Sequence, residues 1–312
     1  MHILVTGGCG YTGTLLTNDL LNLGYKVTVI DTQWFGNYLT PRENLKIIKT
    51  DIREYDSIPL KNVNSVVHLA NIANDPSVEL NSKLSWEVNV LATQQLIENS
   101  VKNKVEHFIF ASSGSVYGVK EEKEVTEDLS LVPISTYNKT KMIAERILKS
   151  YENDIKLHCI RPATVCGFSP RMRLDVSVNM FTFQALKSKS MSVFGGDQIR
   201  PNIHIQDLIN VYKHFISKPN LPSGFYNAGF ENLKIIEIAE KVAKIIPSKI
   251  NIMENNDRRS YRQNSDKLLS TGFKKKHSVT DAIKELKEMY MNKKFTESEK
   301  CYTVKWMKKL NL

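Results

Sequence analysis

Through the first half of the chain, short β-branched runs alternate with stretches whose apolar positions recur every three or four residues. Residues 3–6, 26–30, 45–49, 65–69, 108–112 and 157–161 are runs of the strand type, apolar enough to be buried on both faces. Between them, residues 13–23, 86–99 and 137–149 carry helical periodicity. Strands separated by helices imply crossover connections, hence a parallel sheet covered on both faces. After residue 166 the rhythm loosens. Helical stretches at 178–187, 206–217 and 235–245 are separated by loops marked by Gly195-Gly196 and by Pro219 to Gly224. The pattern predicts one domain over residues 1–166 and a smaller one over 167–312 that packs partly back onto the sheet.

The first strand runs directly into Gly7-Gly8-Cys9-Gly10-Tyr11-Thr12-Gly13, which opens the first helix. Glycines at 7, 10 and 13 allow a tight turn, close approach of backbone N–H groups to a pyrophosphate, and close helix–strand packing. The helix N-terminus adds partial positive charge. Asp31 ends the second strand, where a carboxylate accepts hydrogen bonds from the adenosine ribose hydroxyls and repels a 2′-phosphate, favouring NAD over NADP. Strand, glycine turn, helix and acidic strand end together predict a Rossmann-type doubly wound parallel sheet with a smaller C-terminal substrate-binding domain.

Tyr137 and Lys141 stand four residues apart on a predicted helix, so the phenol and the ammonium share one face. An adjacent ammonium favours phenolate and would lower the tyrosine from its ordinary pKa of about 10. Such a tyrosine can exchange a proton with an alcohol while a nicotinamide takes or gives the hydride. Spacing alone is weak: Tyr290 and Lys294 repeat it at a surface helix end. The first pair is set apart by Ser112-Ser113 at the C-terminal edge of a strand, where parallel-sheet enzymes hold their ligands.

With these residues in place, the chain resembles the extended short-chain dehydrogenases/reductases, most closely the NAD-dependent sugar-nucleotide epimerase/dehydratase branch typified by UDP-galactose 4-epimerase. The resemblance spans nearly the whole chain. It implies that Tyr137 is the acid/base, that Lys141 assists it and holds the nicotinamide ribose, and that Ser113 bonds the reacting sugar hydroxyl. It further implies an NAD site lined by Gly7, Gly10, Tyr11, Thr12, Gly13, Asp31, Asp51, Ile52, Leu69, Ala70, Asn89 and Ala163, together with Tyr137 and Lys141. For a nucleotide-diphosphate sugar substrate it implies Asn179, Arg200 and, near the end, Arg258 or Arg259. Glu254 occupies the position where the epimerases carry their arginine, and either of these last two could substitute, Arg259 being the one carried forward. A guanidinium suits a diphosphate because its planar fork binds two oxygens at once. A homodimer paired through two helices per subunit is also implied.

The chain departs from the family pattern in several places. Asn138 follows the tyrosine where glycine is usual, and the segment 71–77 differs in a way expected to shape the sugar pocket. Ser169-Pro170-Arg171-Met172-Arg173-Leu174-Asp175 resembles a branch acting on GDP-heptoses as 4-dehydrogenases. Its two arginines could steer the nucleotide or simply pair with Asp175. The family's 4,6-dehydratases place an acidic pair directly after the catalytic hydroxyl residue; Gly114 and Ser115 stand here, which argues against dehydration. The expected activity is therefore NAD-dependent epimerisation through transient oxidation at carbon 4. The alternatives are a 4-dehydrogenase or 4-ketoreductase and, in another class, a non-catalytic dinucleotide sensor.

Composition narrows this only modestly. The 312 residues suffice for a substantial core. The net charge of +10 is diffuse lysine apart from Lys274-Lys275-Lys276, with no aromatic-interleaved basic element, so a nucleic-acid partner is not expected. Four scattered cysteines lack metal-ligand spacing, and no metal is expected. Without a signal-like start or a long apolar run, the expected location is the cytoplasm, with no membrane association.

Overall fold

The chain begins with β1 (His2–Thr6) and passes through the glycine turn into α1 (Tyr11–Asn22). β2 (Lys26–Asp31), β3 (Leu45–Lys49) and β4 (Ser65–His68) follow. Two short helices, α2 (Asp75–Val78) and α3 (Ser82–Trp86), lead through a π-helical segment at Glu87–Leu91 into α4 (Ala92–Lys102). β5 (His107–Ala111), α5 (Thr136–Lys149) and β6 (Lys156–Pro162) come next. The computed structural model describes residues 1–254 and 260–312.

Beyond β6 the described residues form β7 (Thr164–Cys166), α6 (Ser177–Ser188), β8 (Ser190–Phe194), β9 (Ile199–His204) and α7 (Ile205–Ser217). Then come β10 (Gly224–Ala228), β11 (Glu231–Lys234), α8 (Ile235–Ile245), β12 (Lys249–Met253), α9 (Asp266–Ser270), α10 (Val279–Met291) and α11 (Thr303–Lys309).

Seven strands form one parallel sheet in the order β3-β2-β1-β4-β5-β6-β10. The order reverses between β1 and β4, and in doubly wound sheets ligands bind outside the carboxyl ends of strands at such a reversal. The seventh strand comes from the second half of the chain: Tyr226 of β10 pairs with Ile160 of β6. Two small sheets, β11-β9-β7 and β12-β8, carry the rest of that half.

Because side chains alternate along a strand, β1 splits its apolar residues between two cores. Ile3 and Val5 pack with Leu16 and Leu20 of α1 and with Tyr212 and Phe215 of α7. Leu4 points the other way, into a core with Leu96, Ala144 and Leu148 from α4 and α5. Each such fully buried aliphatic or aromatic side chain contributes about 1.5–3 kcal/mol, so both faces of the sheet are held by their helices. A third core, with Phe181, Val193, Ile238 and Ile283, joins α6, β8, α8 and α10.

One polar contact fixes α5 against the sheet. Glu145, fully buried, accepts from Arg161 on β6 at both oxygens, Nε to Oε1 at 2.9 Å and Nη2 to Oε2 at 2.7 Å. Ser112, just past β5, donates to the same carboxylate, and Tyr117 closes the other side of the guanidinium at 2.7 Å. Every charged atom of this cluster has partners, the condition under which an ion pair is tolerated in a core.

Candidate active site

The glycine turn shows why it needs glycine. Gly7 has φ of +72°, and a Cβ there would lie 2.7 Å from the backbone nitrogen of Ala70. A Cβ on Gly13 would lie 2.1 Å from the carbonyl oxygen of Gly7. The first turn of α1 has no side-chain cap and no acidic residue, leaving backbone N–H groups free for an anion. Asp31 closes this end. It accepts from the N–H of Cys9 at 3.0 Å and of Gln33 at 2.6 Å. Burial raises its pKa, and those two bonds and the Arg171 guanidinium partly offset the rise.

The turn, Asp31, Asp51, Ile52, Leu69, Ala70 and Ala163 line one cleft of about 650 Å³, within the size range of ligand sites. Ser113 and Tyr137 line the same cleft. Tyr137 is set at the first turn of α5, whose N-terminus is capped by the Ser135 hydroxyl accepting from Asn138 N–H at 3.2 Å. Ser113 lies just past β5, its hydroxyl 2.8 Å from that of Ser115.

Lys141 is held toward β5 rather than paired with Tyr137. Its ammonium turns inward, donates to the carbonyl of Ala111 at 2.7 Å and sits over the Phe110 ring at 4.7 Å. Burial lowers the Lys141 amine to about 7, against the pull of Glu145. Burial and the Asp75 carboxylate push the Tyr137 phenol up to about 12; Ser113 and the Arg173 guanidinium work the other way. The cation bearing on the phenol is thus an arginine from the second half of the chain.

A model of the NAD dependent epimerase/dehydratase family matches residues 3–229, well over half of the chain. The chain belongs to that family. It is accordingly an NAD-dependent enzyme, and the glycine turn, the free N–H groups of α1 and Asp31 in a single cleft fit that cofactor. An uncharacterized UDP-glucose epimerase of Bacillus subtilis (strain 168) is 31% identical over 78% of this chain and 82% of its own length. UDP-glucuronic acid decarboxylase 1 of Danio rerio is 27% identical over 80% of this chain and 62% of its own. The structure of UDP-glucuronic acid 4-epimerase from Bacillus cereus, in complex with UDP-glucuronic acid and NAD, superposes with a TM-score of 0.80. That protein is 26% identical, and the match covers 93% of this chain and 100% of that one.

Within the family fold, some expected ligands are turned elsewhere. Asn89, in the π-helical segment, is buried away from the cleft. Its carbonyl accepts from Ile72 N–H at 2.8 Å, and its amide donates to Ile72 O at 3.1 Å and Thr140 at 3.2 Å. It braces the loop after β4 instead of lining the cofactor site. Asn179 is fully buried at the base of α6. It accepts from Gly167 N–H at 2.9 Å and donates to Arg173 O at 2.9 Å and the Tyr11 hydroxyl at 3.0 Å. Its amide holds the loop 167–175 in this structure. Tyr11 in turn donates to Gly167 O at 2.6 Å, tying the glycine turn to that loop. Arg200 does line the cleft, with Nη1 donating to Ile199 O at 3.2 Å. Arg258 and Arg259 lie outside the described residues.

The two arginines of the 169–175 segment part company. Arg173 pairs with Asp175 at 2.9 Å; burial would raise that carboxyl, but Arg173 and Thr303 outweigh it and hold the group at about 2. Among the described residues Arg171 makes no such pair. Sequence reasoning also missed the C-terminal segment. Thr303, Val304 and Met307 line the cleft, and Trp306 Nε1 donates to Trp34 O at 2.6 Å, just after β2. Among the described residues no group of His, Cys, Asp and Glu is arranged to hold a metal, the four cysteines are free thiols, and no helix is long and apolar enough to cross a membrane.

Proposed function

We propose that the enzyme is a nucleotide-sugar epimerase that inverts carbon 4 of its sugar through transient oxidation. What carries the reading is that Tyr137 and Ser113 share a single cleft with the glycine turn and Asp31, while Gly114 and Ser115 follow the hydroxyl residue without an acid. NAD, when bound, supplies the hydride acceptor and donor for that carbon. The chain's own part is proton transfer and orientation. Ser113 holds the 4-hydroxyl against the Tyr137 oxygen, which as phenolate takes its proton and, as the phenol so formed, later returns it to the 4-keto oxygen. Burial favours the protonated phenol, the form that gives the proton back, while Ser113 and Arg173 favour the phenolate that the forward step needs. Arg200 is placed to grip a diphosphate, and a relative bound to UDP-glucuronic acid supports a nucleotide-sugar ligand of that kind. The segment 71–76 lines the cleft beside Tyr137 and sets the room in which the ketone turns over. Pairing of two copies into a homodimer, and a cytoplasmic setting, accompany the reading.

The test is a panel of UDP-, GDP-, CDP- and dTDP-sugars, followed by absorbance at 340 nm and by NMR of the product. Interconversion of carbon-4 epimers with no net change in reduced cofactor supports the reading. Steady production or consumption of NADH replaces it by a 4-dehydrogenase or 4-ketoreductase, release of carbon dioxide by a decarboxylase, and binding of NAD without turnover by a sensor.

A further inference from the structure

Arg171 is a buried cation with unpaired donors among the described residues. It is 4% exposed and lines the cleft, yet its Nε and Nη1 find no hydrogen-bond partner among the described residues. A guanidinium carries five N–H donors, and leaving them desolvated without acceptors is costly. Burial, reinforced by Arg173 two residues away, pulls it down to about 10. The fold nonetheless fixes it firmly in this place. Its plane lies over the Phe35 ring at 4.0 Å. Its loop is tied to the glycine turn by Ser169 Oγ donating to Tyr11 O at 2.7 Å, and to the C-terminal segment by Leu174 N–H donating to Cys301 O at 2.9 Å. Thr303 N–H donates to Asp175 at 2.9 Å, which secures the far end of the same loop.

The location decides what the missing acceptor is. Arg171 acts on Asp31, the carboxylate at the end of β2, whereas Arg173 acts on Tyr137. The two arginines therefore address opposite ends of the cleft, and Arg171 belongs to the end built from the glycine turn, Asp31 and Phe35. Both Asp31 oxygens already accept a backbone N–H. Among the acceptors a dinucleotide brings to this end, beside neutral ribose oxygens and adenine nitrogens, only the pyrophosphate oxygens are anionic and match the guanidinium's charge, and the uncapped N-terminus of α1 suits the same group.

We propose that Arg171 is a cofactor-anchoring residue that reaches from the second half of the chain over the adenosine side of the dinucleotide and donates its unpaired N–H groups to the pyrophosphate. This rests on the cofactor's being NAD. It ties the cofactor to the loop 167–175 and, through Leu174 and Asp175, to the C-terminal segment.

The experiment compares wild type with R171M, which keeps an apolar stem on Phe35 and loses all donors, and with R171K. Protein stripped of bound nucleotide is titrated calorimetrically with NAD, ADP-ribose, adenosine and UDP, and melted with and without NAD. The expected result for R171M is a loss of about 10- to 100-fold in affinity for NAD and ADP-ribose, the range for hydrogen bonds to a charged group. Binding of adenosine and of UDP stays within about twofold, because neither ligand presents the cofactor's pyrophosphate to Arg171. The ligand-free melting temperature is unchanged or higher, since an unpaired buried charge is removed, while the rise on adding NAD shrinks. Unchanged NAD affinity overturns the proposal, as does an equal loss for adenosine, which would make Arg171 a packing residue. A loss confined to UDP also overturns it, by assigning the guanidinium to the substrate's diphosphate. If R171M fails to fold, R171K decides: its charge survives but the planar fork does not, and a selective loss for NAD and ADP-ribose is still expected. Failure of wild type to bind NAD would remove the cofactor reading itself, and with it this proposal; normal wild-type binding with indifferent variants removes the proposal alone.

Discussion

Replacing Lys141 by methionine should stabilise the fold at low pH and destabilise it at high pH. The amine is 1% exposed and donates to the Ala111 carbonyl at 2.7 Å. In the unfolded chain it keeps its proton up to the ordinary 10.5; in the fold only to about 7. Between those values the unfolded state binds more protons, so folding stability rises with pH across that window, and the cost of burying the charge is fully present below it. At about 1.4 kcal/mol per pH unit, that cost is on the order of 5 kcal/mol. Methionine removes it but leaves the Ala111 carbonyl without its donor, a loss of about 1–3 kcal/mol at every pH. The net gain near pH 6.5 is then on the order of 2 kcal/mol, or about 4–8 °C in melting temperature. Near pH 9.5 the wild-type amine is neutral and still donates, and the roughly 1.4 kcal/mol of cost that remains is less than the roughly 2 kcal/mol lost with the hydrogen bond, so the variant should melt slightly below wild type. Scanning calorimetry of both proteins from pH 6.5 to 9.5 tests this through the sign change. A difference that is flat with pH, or a variant less stable throughout, refutes the reasoning.

Glu145→Ala should cost about 3–5 kcal/mol in denaturant unfolding, because it strands the Arg161 guanidinium in the core; a loss below about 1 kcal/mol would show that water or a shifted side chain compensates. Asp31→Ser should raise affinity for NADP relative to NAD at least about tenfold, since it removes the repelling carboxylate beside the Arg171 guanidinium, and direct titration with both dinucleotides measures it. An unchanged ratio would mean that Asp31 does not face the adenosine ribose.

Much of the dinucleotide half was legible in the sequence because its signals are local. β1, the glycine turn, α1 and Asp31 are contiguous, and a buried parallel strand leaves no polar position to blur its period. Serine at the end of β5 and tyrosine at the start of α5 follow from strand and helix ends, which periodicity locates within a residue or so. What escaped depends on which way a side chain turns. Asn89 and Asn179 stand beside the cleft in sequence terms, but a buried amide goes where unpaired backbone groups need it, here Ile72 and the loop around Gly167. Lys141 shares a helix face with Tyr137, yet its amine reaches back toward β5. The approach of Thr303 and Met307 to β2 is a tertiary event with no short-range signature. α10 was legible in principle: Ser278 and Asp281 form a capping box ahead of an amphipathic run. Of the small strands, β7 and β11 have only three and four residues, and β8 and β12 are partly exposed, which leaves little pattern to read.

The most direct test of the account is the Tyr137→Phe variant, assayed for bound NAD and for turnover of the nucleotide sugar that the panel identifies. Loss of the phenolic oxygen should leave NAD content at the wild-type level while lowering kcat by about 100-fold or more, the contribution of a positioned acid/base. A variant that retains full turnover with NAD in place would contradict the claim that this oxygen carries the sugar's proton.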